Sequence, residues 1–372
     1  MIDVKKFCEC LYNNGFDFFA GVPDSLLSGF CSYAEEFFGE RFIISANEGN
    51  AVGLASGHYL AEGRPAVVFM QNSGIGNAVN PILSLADKEV YNIPILFIIG
   101  WRGEPGVIDE PQHAAQGNIT QELLNVIKIE NIILDENYEE KISYCRKVTD
   151  QGKRVALIVR KGIFSPYEYV PAKSRFSMTR EQALEIITNS LGEMDIVVST
   201  TGKTSRELYE LRERCGISHS RDFLTVGAMG HASSIAAGLS LSTERDVYCI
   251  DGDGSFIMHM GASAVNADIS GKNYKYIVIN NGCHESVGGQ PTTGFKICAE
   301  EILNGCGFEN VFRAENAAEL VSIIEKMKLS GKSAAVVYVK QGSRKDLGRP
   351  AISPVNNRNL LMKELSDESV DF

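Results

Sequence analysis

Two stretches of this chain carry oxygen donors at a spacing that could hold a hard cation. Asp251-Gly252-Asp253-Gly254-Ser255 follows the apolar run Val247-Tyr248-Cys249-Ile250, and Asn280-Asn281-Gly282-Cys283 follows the apolar run Tyr276-Ile277-Val278-Ile279. Apolar runs of this length read as buried strands, and open α/β sheets place ligands outside the carboxyl ends of their strands. Neighbouring strand ends would then bring one carboxylate and one amide oxygen together. Magnesium prefers such oxygen ligands and is commonly held by few protein groups plus phosphate oxygens. Asp253 is the charged candidate and Asn281, or Asn280, the neutral one. Residues 255–279 leave room for one helix, about Met258 to Asp268, and the return strand. Alone, the acidic turn is also an ordinary way to end a strand.

Other candidates lie where a strand gives way to a helix. Thr201-Gly202-Lys203-Thr204 suits phosphate oxygens at a helix N-terminus but lacks the spacing of a Walker A loop, which disfavours a nucleoside triphosphatase. Gly74 and Gly76 could let backbone amides meet an anion. Glu48, in Ala46-Asn47-Glu48-Gly49-Asn50-Ala51, opens a helix, a place the dipole favours for any glutamate. The segment from Gly100 to Asn118 concentrates ionisable groups in what reads as a loop, and catalytic groups favour loops on rigid sheets. There, Arg102 could pair bidentately with a carboxylate or phosphonate, and His113 could act as acid/base or anion ligand.

These residues need a scaffold of alternating elements. Strands at Phe16–Ala20, Phe42–Ser45, Ala66–Met70, Ile95–Ile99 and Val155–Val159, separated by helical patterns, predict a parallel sheet covered on both faces. The rhythm repeats with strands at Asp195–Ser199, Phe223–Val226, the central pair, and Ala334–Val339. The expected organisation is a first α/β domain over 1–162, a linker over 163–178, a second α/β domain over 179–345, and a charged tail over 346–372. A chain of 372 residues can give two domains sizeable cores.

A net charge of −11 argues against nucleic acid or an anionic membrane as partner. No apolar run reaches membrane-spanning length and the start lacks a signal-peptide character, so the expectation is a cytoplasmic protein. Nine cysteines without a Cys-x-x-Cys pair read as free thiols rather than a zinc site; Cys8, Cys31, Cys145, Cys249 and Cys298 fall in apolar surroundings.

Gly-Asp-Gly followed by Asn-Asn resembles the diphosphate-binding signature of thiamine diphosphate enzymes. Residues 1 to about 350 resemble the phosphonopyruvate decarboxylases, which are close to the sulfopyruvate decarboxylases. The resemblance is most specific in Gly21-Val22-Pro23-Asp24-Ser25, Ala46–Ala51, Gln71–Gly74, Gly100–Gly106, Asp109–His113, Thr200–Thr204, Gly227–Ala232 and Asn280–Thr292. It implies two doubly wound parallel-sheet domains, one pyrimidine-binding and one diphosphate-binding, without the middle domain of larger relatives.

The implied cofactors are thiamine diphosphate and Mg2+. Glu48 would face the aminopyrimidine N1′. Thr201, Gly202, Lys203, Thr204, Gly252, Gly254 and Ser255 would surround the diphosphate. The carbonyl of Gly227 would accept from the 4′-amino group, and Met229 would prop the cofactor in its bent form. Asp253, Asn281 and the carbonyl of Cys283 would hold the metal; relatives commonly have glycine at the last place, so that register departs from their pattern. The implied reaction converts 3-phosphonopyruvate to phosphonoacetaldehyde and CO2 in phosphonate biosynthesis, with Arg102 and His113 as candidates for the phosphonate. A small 2-oxo acid is thus the expected partner, and a homodimer or larger assembly with cofactor sites between subunits the expected state. The alternatives are sulfopyruvate or another 2-oxo acid as substrate, with a non-catalytic cofactor-binding subunit disfavoured. A nicotinamide-dependent dehydrogenase lacks its glycine fingerprint.

Overall fold

The structure, a computed structural model, describes residues 1–167 and 174–366. Part of the expected linker, 168–173, and the end of the expected tail, 367–372, lie outside the described residues. Those described divide into two compact units, 1–167 with 286–290 and 174–285 with 291–366.

The first unit runs α1 (Val4–Asn13), β1 (Phe19–Gly21), α2 (Ser28–Phe38), β2 (Phe42–Ile44), α3 (Glu48–Glu62), β3 (Ala66–Gln71), α4 (Ile75–Ser84), β4 (Ile95–Gly100), α5 (Pro111–Val126), β5 (Glu130–Ile133), α6 (Tyr138–Asp150) and β6 (Val155–Val159). Its six strands are all parallel in the order β2-β1-β3-β4-β6-β5. Val67 and Phe69 of β3 join α1, α2 and α6 in one core, while Val68 and Met70 join α3, α4 and α5 in the other. This alternation explains why the strands are apolar throughout: each residue meets a helix layer on one side or the other. Burying a phenylalanine such as Phe69 fully is worth roughly 1.5–3 kcal/mol.

The second unit runs α7 (Arg180–Ser190), β7 (Ile196–Ser199), α8 (Lys203–Cys215), β8 (Asp222–Leu224), α9 (Ala232–Ser240), β9 (Val247–Gly252), α10 (Asp253–Met258), α11 (Ala262–Ile269), β10 (Tyr274–Asn280), α12 (Ala299–Gly305), β11 (Asn310–Ala314), α13 (Ala317–Leu329), β12 (Ser333–Tyr338) and α14 (Pro354–Ser366). The sheet is again six parallel strands, ordered β11-β12-β10-β9-β7-β8. In each unit the chain's first reversal of direction across the sheet leaves a switch point, between β1 and β3 and between β7 and β9. A topological switch point opens a ligand crevice at the strands' carboxyl ends.

Three local expectations need correction, and the tail, expected as a short helix or a loose end, takes the first form. The helix expected over Met258–Asp268 is two helices, broken at His259–Gly261, and the first begins at Asp253 itself. The segment Gly100–Asn118 is not loop throughout: α5 starts after Glu110, and Pro111 takes its first position, where a missing N–H costs nothing. The tail contains α14, whose Asn357 donates to Asp222 O and accepts from Leu224 N, satisfying the backbone of edge strand β8. Cys298 is exposed; Cys8, Cys31, Cys145, Cys249 and Cys283 are the buried free thiols. Among the described residues no helix is long and apolar enough to cross a membrane.

Candidate active site

In the first unit the switch point is lined by loops whose side chains bond to one another. Asp24, fully buried after β1, accepts from Gln71 Nε2 at 2.7 Å and from Leu26 N at 3.1 Å. Burial pushes its carboxyl up, against those bonds and the nearby Arg102. A Cβ at Gly100, the end of β4, would collide with Asp24 Oδ2, so only glycine lets the two strand ends approach this closely.

Glu48 begins α3, which Asn47 caps by accepting from Asn50 N at 2.9 Å. The Glu48 side chain is 5% exposed, and Asn77 Nδ2 donates to its Oε2 at 2.8 Å. Burial pushes this carboxyl up, and the Asn77 bond restrains the rise. A Cβ on Gly74 would lie 2.5 Å from Glu48 Cγ and Cδ, so this glycine is required by the carboxylate rather than by the turn. The result is a buried carboxylate whose hold on a proton is strengthened by burial, with Oε2 fixed by Asn77.

Arg102 follows β4. Its Nε donates to Asp109 Oδ2 at 2.7 Å, its Nη2 to Asp109 Oδ1, and its Nη1 to Ser25 Oγ at 2.9 Å. The guanidinium beside Asp109 holds that carboxyl well below the usual range. Arg102 is therefore already paired, although Nη1 faces a neutral hydroxyl. Asn72 fixes the Arg102 backbone from both sides, donating to its carbonyl at 2.8 Å and accepting from its N–H at 3.1 Å. His113 stands in the first turn of α5, its N–H on Glu110 O at 2.9 Å, and its carbonyl packs where a Cβ of Gly103 would be.

In the second unit the switch point lies between Thr200, after β7, and α10, after β9. Thr200 Oγ1 donates to Ser255 Oγ at 3.1 Å, and Gly230 N donates to the same hydroxyl at 2.9 Å. Ser255 thus joins three strand-end loops. Thr201 Oγ1 donates to Val226 O at 2.8 Å, Gly202 takes a positive φ of 91° before α8, and Lys203 opens that helix. Thr204 is buried in its first turn. Ala228 has φ 51°, a strained value for alanine, and Gly230 φ 88°. The Gly227–Gly230 turn between them carries Met229, whose Cε comes within 3.2 Å of where a Cβ on Gly254 would lie. His284 lies 3.0 Å from the same point, and burial pushes it down to about 4. Gly252, by contrast, has open space around its Cα.

Asp253 is 3% exposed at the start of α10. It accepts from Thr292 Oγ1, and from Asn281 N at 3.4 Å; burial pushes it up to about 6 against these bonds. Among the described residues it has no cationic partner. A Cβ on Gly294 would sit 2.7 Å from both Asp253 Oδ2 and Asn280 Oδ1, so the carboxylate and that amide oxygen converge on one small space. Asn280 Nδ2 donates to Gly294 O at 2.7 Å, whereas the Asn281 amide turns to Glu285 and Cys283. A buried carboxylate lacking a counter-charge beside the Asn280 amide oxygen, with Asn281 next in the chain, fits a divalent cation with phosphate ligands.

Several residues here escaped sequence reasoning. Thr292 on Asp253, Asn77 on Glu48, and the ion network of Arg180, Glu207 and Glu285 are the main ones. Arg180 pairs Nε and Nη2 with Glu207, each at 2.7 Å, and Nη1 with Glu285 at 2.8 Å. Burial alone would raise the Glu285 carboxyl, but Arg180 and Lys203 outweigh it and hold it below its ordinary value.

Comparison with known proteins adds the following. Residues 4–124 match the thiamine pyrophosphate enzyme N-terminal TPP binding domain, and residues 201–339 match the C-terminal TPP binding domain. The chain is 31% identical to phosphonopyruvate decarboxylase of Streptomyces viridochromogenes, with 95% of this chain and 92% of that one covered. It is 28% identical to sulfopyruvate decarboxylase of Methanosarcina acetivorans, covering 91% and 92%. With the sulfopyruvate decarboxylase subunit beta of Methanocaldococcus jannaschii it shares 39% identity over 36% of this chain and 68% of that subunit.

Proposed function

This chain belongs to the thiamine pyrophosphate-dependent decarboxylases related to phosphonopyruvate and sulfopyruvate decarboxylase, and from that premise we propose that it decarboxylates 3-phosphonopyruvate to phosphonoacetaldehyde, with Mg2+ as second cofactor. The observation that carries the substrate is the end-to-end similarity to the Streptomyces phosphonopyruvate decarboxylase, which leaves neither chain with a large unmatched part. The step would serve phosphonate biosynthesis in the cytoplasm, in a homodimer or larger closed assembly.

When bound, thiamine diphosphate supplies the electron sink that takes up the pair left as CO2 departs. The chain's residues do the rest. Glu48, buried and pushed towards protonation, holds or releases a proton at the aminopyrimidine edge through the oxygen that Asn77 leaves free. Thr201, Gly202, Lys203, Thr204, Gly252, Gly254 and Ser255 would cradle the diphosphate at the starts of α8 and α10, and Asp253, Asn281 and the Cys283 carbonyl would hold the cation. Gly227 and Met229 would fix the ring end. Arg102 would exchange part of its pairing with Asp109, or its Ser25 contact, for the phosphonate, and His113 would assist. A cation already balanced by a carboxylate accepts a dianionic substrate without being left uncompensated in the empty site. Withdrawing the substrate carboxylate from water favours the step in which its charge is lost.

A second reading, sulfopyruvate as substrate, is favoured by the full-length similarity to the Methanosarcina enzyme. The test is kcat/KM for phosphonopyruvate, sulfopyruvate and pyruvate, measured side by side as CO2 and aldehyde release. A preference for phosphonopyruvate of about tenfold or more, about 1.4 kcal/mol in transition-state binding, is expected. A preference for sulfopyruvate would replace the first reading by the second.

A further inference from the structure

We propose that Glu285 is a positioning residue for the cation site, orienting and polarising the Asn281 amide. The inference rests on the reading of Asn281 as a metal ligand. Asn281 Nδ2 donates to Glu285 Oε2 at 2.9 Å, and Asn281 Oδ1 accepts from Cys283 N at 3.1 Å. An amide can turn either end towards a cation, and only the oxygen end is useful.

An ionised carboxylate settles that choice, because it accepts hydrogen bonds and donates none. Glu285 is held as an anion by two cations: Arg180 Nη1 at 2.8 Å and Lys203 Nζ at 3.2 Å. Its side chain is 11% exposed and that of Arg180 is 7% exposed, so water does not replace the Arg180 partner. Arg180 is itself anchored by a two-bond fork on Glu207. Glu285 thus stands at the meeting point of the starts of α7 and α8 and the loop after β10. Facing it, the Asn281 NH2 must point away from the cation, and the negative charge behind the amide raises the electron density on its oxygen. The arrangement is the amide counterpart of the carboxylate that orients a metal-bound histidine, a relation whose loss typically costs 10–100-fold in metal affinity.

The test uses Mn2+ as the probe, its free fraction read by electron paramagnetic resonance in the presence of thiamine diphosphate and without substrate. Glu285→Gln has the same shape but can donate as well as accept and carries no charge. It should weaken Mn2+ binding by about 10–100-fold. Asn281→Asp combined with Glu285→Gln exchanges the two functions: the carboxylate at 281 presents oxygen whichever way it turns, and the amide introduced at 285 donates to it. That double variant should recover most of the loss, which a merely structural role for Glu285 does not predict. Equal Mn2+ binding by wild type and Glu285→Gln overturns the proposal, as does a loss that the double variant leaves unrepaired. If Glu285→Gln fails to fold, the double variant, which keeps the pair's net charge, decides alone: bound Mn2+ supports the proposal and absent Mn2+ overturns it. Wild-type protein that takes up no Mn2+ overturns this proposal together with the magnesium reading. The substrate assignment is judged by the separate substrate comparison.

Discussion

Replacing Gly74 by alanine should disable Glu48 without replacing it. Gly74 precedes α4 with φ −74° and ψ −13°, values alanine adopts freely, so the change introduces no backbone strain. Its new methyl carbon would lie 2.5 Å from Glu48 Cγ and Cδ. Non-bonded carbons approach to about 3.5–4.0 Å, so the carboxylate must give way by about 1 Å. Its surroundings resist, since Glu48 is 5% exposed and its Oε2 is tied to Asn77. Overpacking of this kind costs about 1–3 kcal/mol of stability, and a misplacement of about 1 Å at a reacting group can cost about 100-fold in rate. The assay is kcat for phosphonopyruvate at saturating thiamine diphosphate and Mg2+, with melting temperature and cofactor affinity measured on the same preparation. The expected result is a folded protein that binds cofactor and has lost about 100-fold in kcat. A folded Gly74→Ala protein with wild-type kcat would refute the placement of Glu48 at the reacting centre.

Other expectations follow from the same contacts. Arg154 is 6% exposed and donates to Asp87 Oδ2 at 2.7 Å and to Ala86 O at 2.5 Å; Arg154→Met takes the cation from the buried Asp87, leaving it the Glu89 N–H bond, and should cost about 3 kcal/mol in urea unfolding. Asn357→Ala removes both bonds to β8 and leaves its backbone unsatisfied, at a cost of about 1–3 kcal/mol by the same measurement. His219 lies between Glu213 at 2.8 Å and Asp222 at 3.4 Å; burial lowers its pKa, but the two carboxylates outweigh burial and raise it. A raised folded-state pKa gives stability that is fully present below the unfolded value of 6.5 and lost as pH rises through the folded value. The melting-temperature advantage of wild type over His219→Gln should therefore be larger at about pH 6 than at about pH 9, and a pH-independent difference would contradict it.

The sheets were legible because a parallel strand covered on both faces must be apolar at every position, which Val155–Val159 and Ile95–Ile99 are. Edge strands were harder. The strand β5 begins Glu130-Asn131 and is only half covered, and β11 contains an exposed arginine, so neither stands out as an apolar run. The start of α5 had a usable signal in Glu110-Pro111 that the surrounding glycines and charges obscured. Residues at strand ends, such as Glu48, Asp253 and Asn281, were legible from local type and position. The Arg180–Glu207–Glu285 network was not, because its members lie 27 and 105 residues apart and only the fold brings them together. The same holds for Asn77 on Glu48, 29 residues apart, and for Asn357, whose role appears only once β8 is seen to be an edge.

If Glu48 serves thiamine diphosphate, exchange of the cofactor's thiazolium C2 proton for deuterium reports on it most directly. It should be followed by acid quench and NMR on protein loaded with thiamine diphosphate and Mg2+, for wild type and Glu48→Gln. Glu48→Gln should stay folded, keep the cofactor bound, and exchange C2 slower by about 100-fold or more, as expected when an acid/base group is removed. Wild-type exchange in a cofactor-loaded Glu48→Gln protein would contradict it.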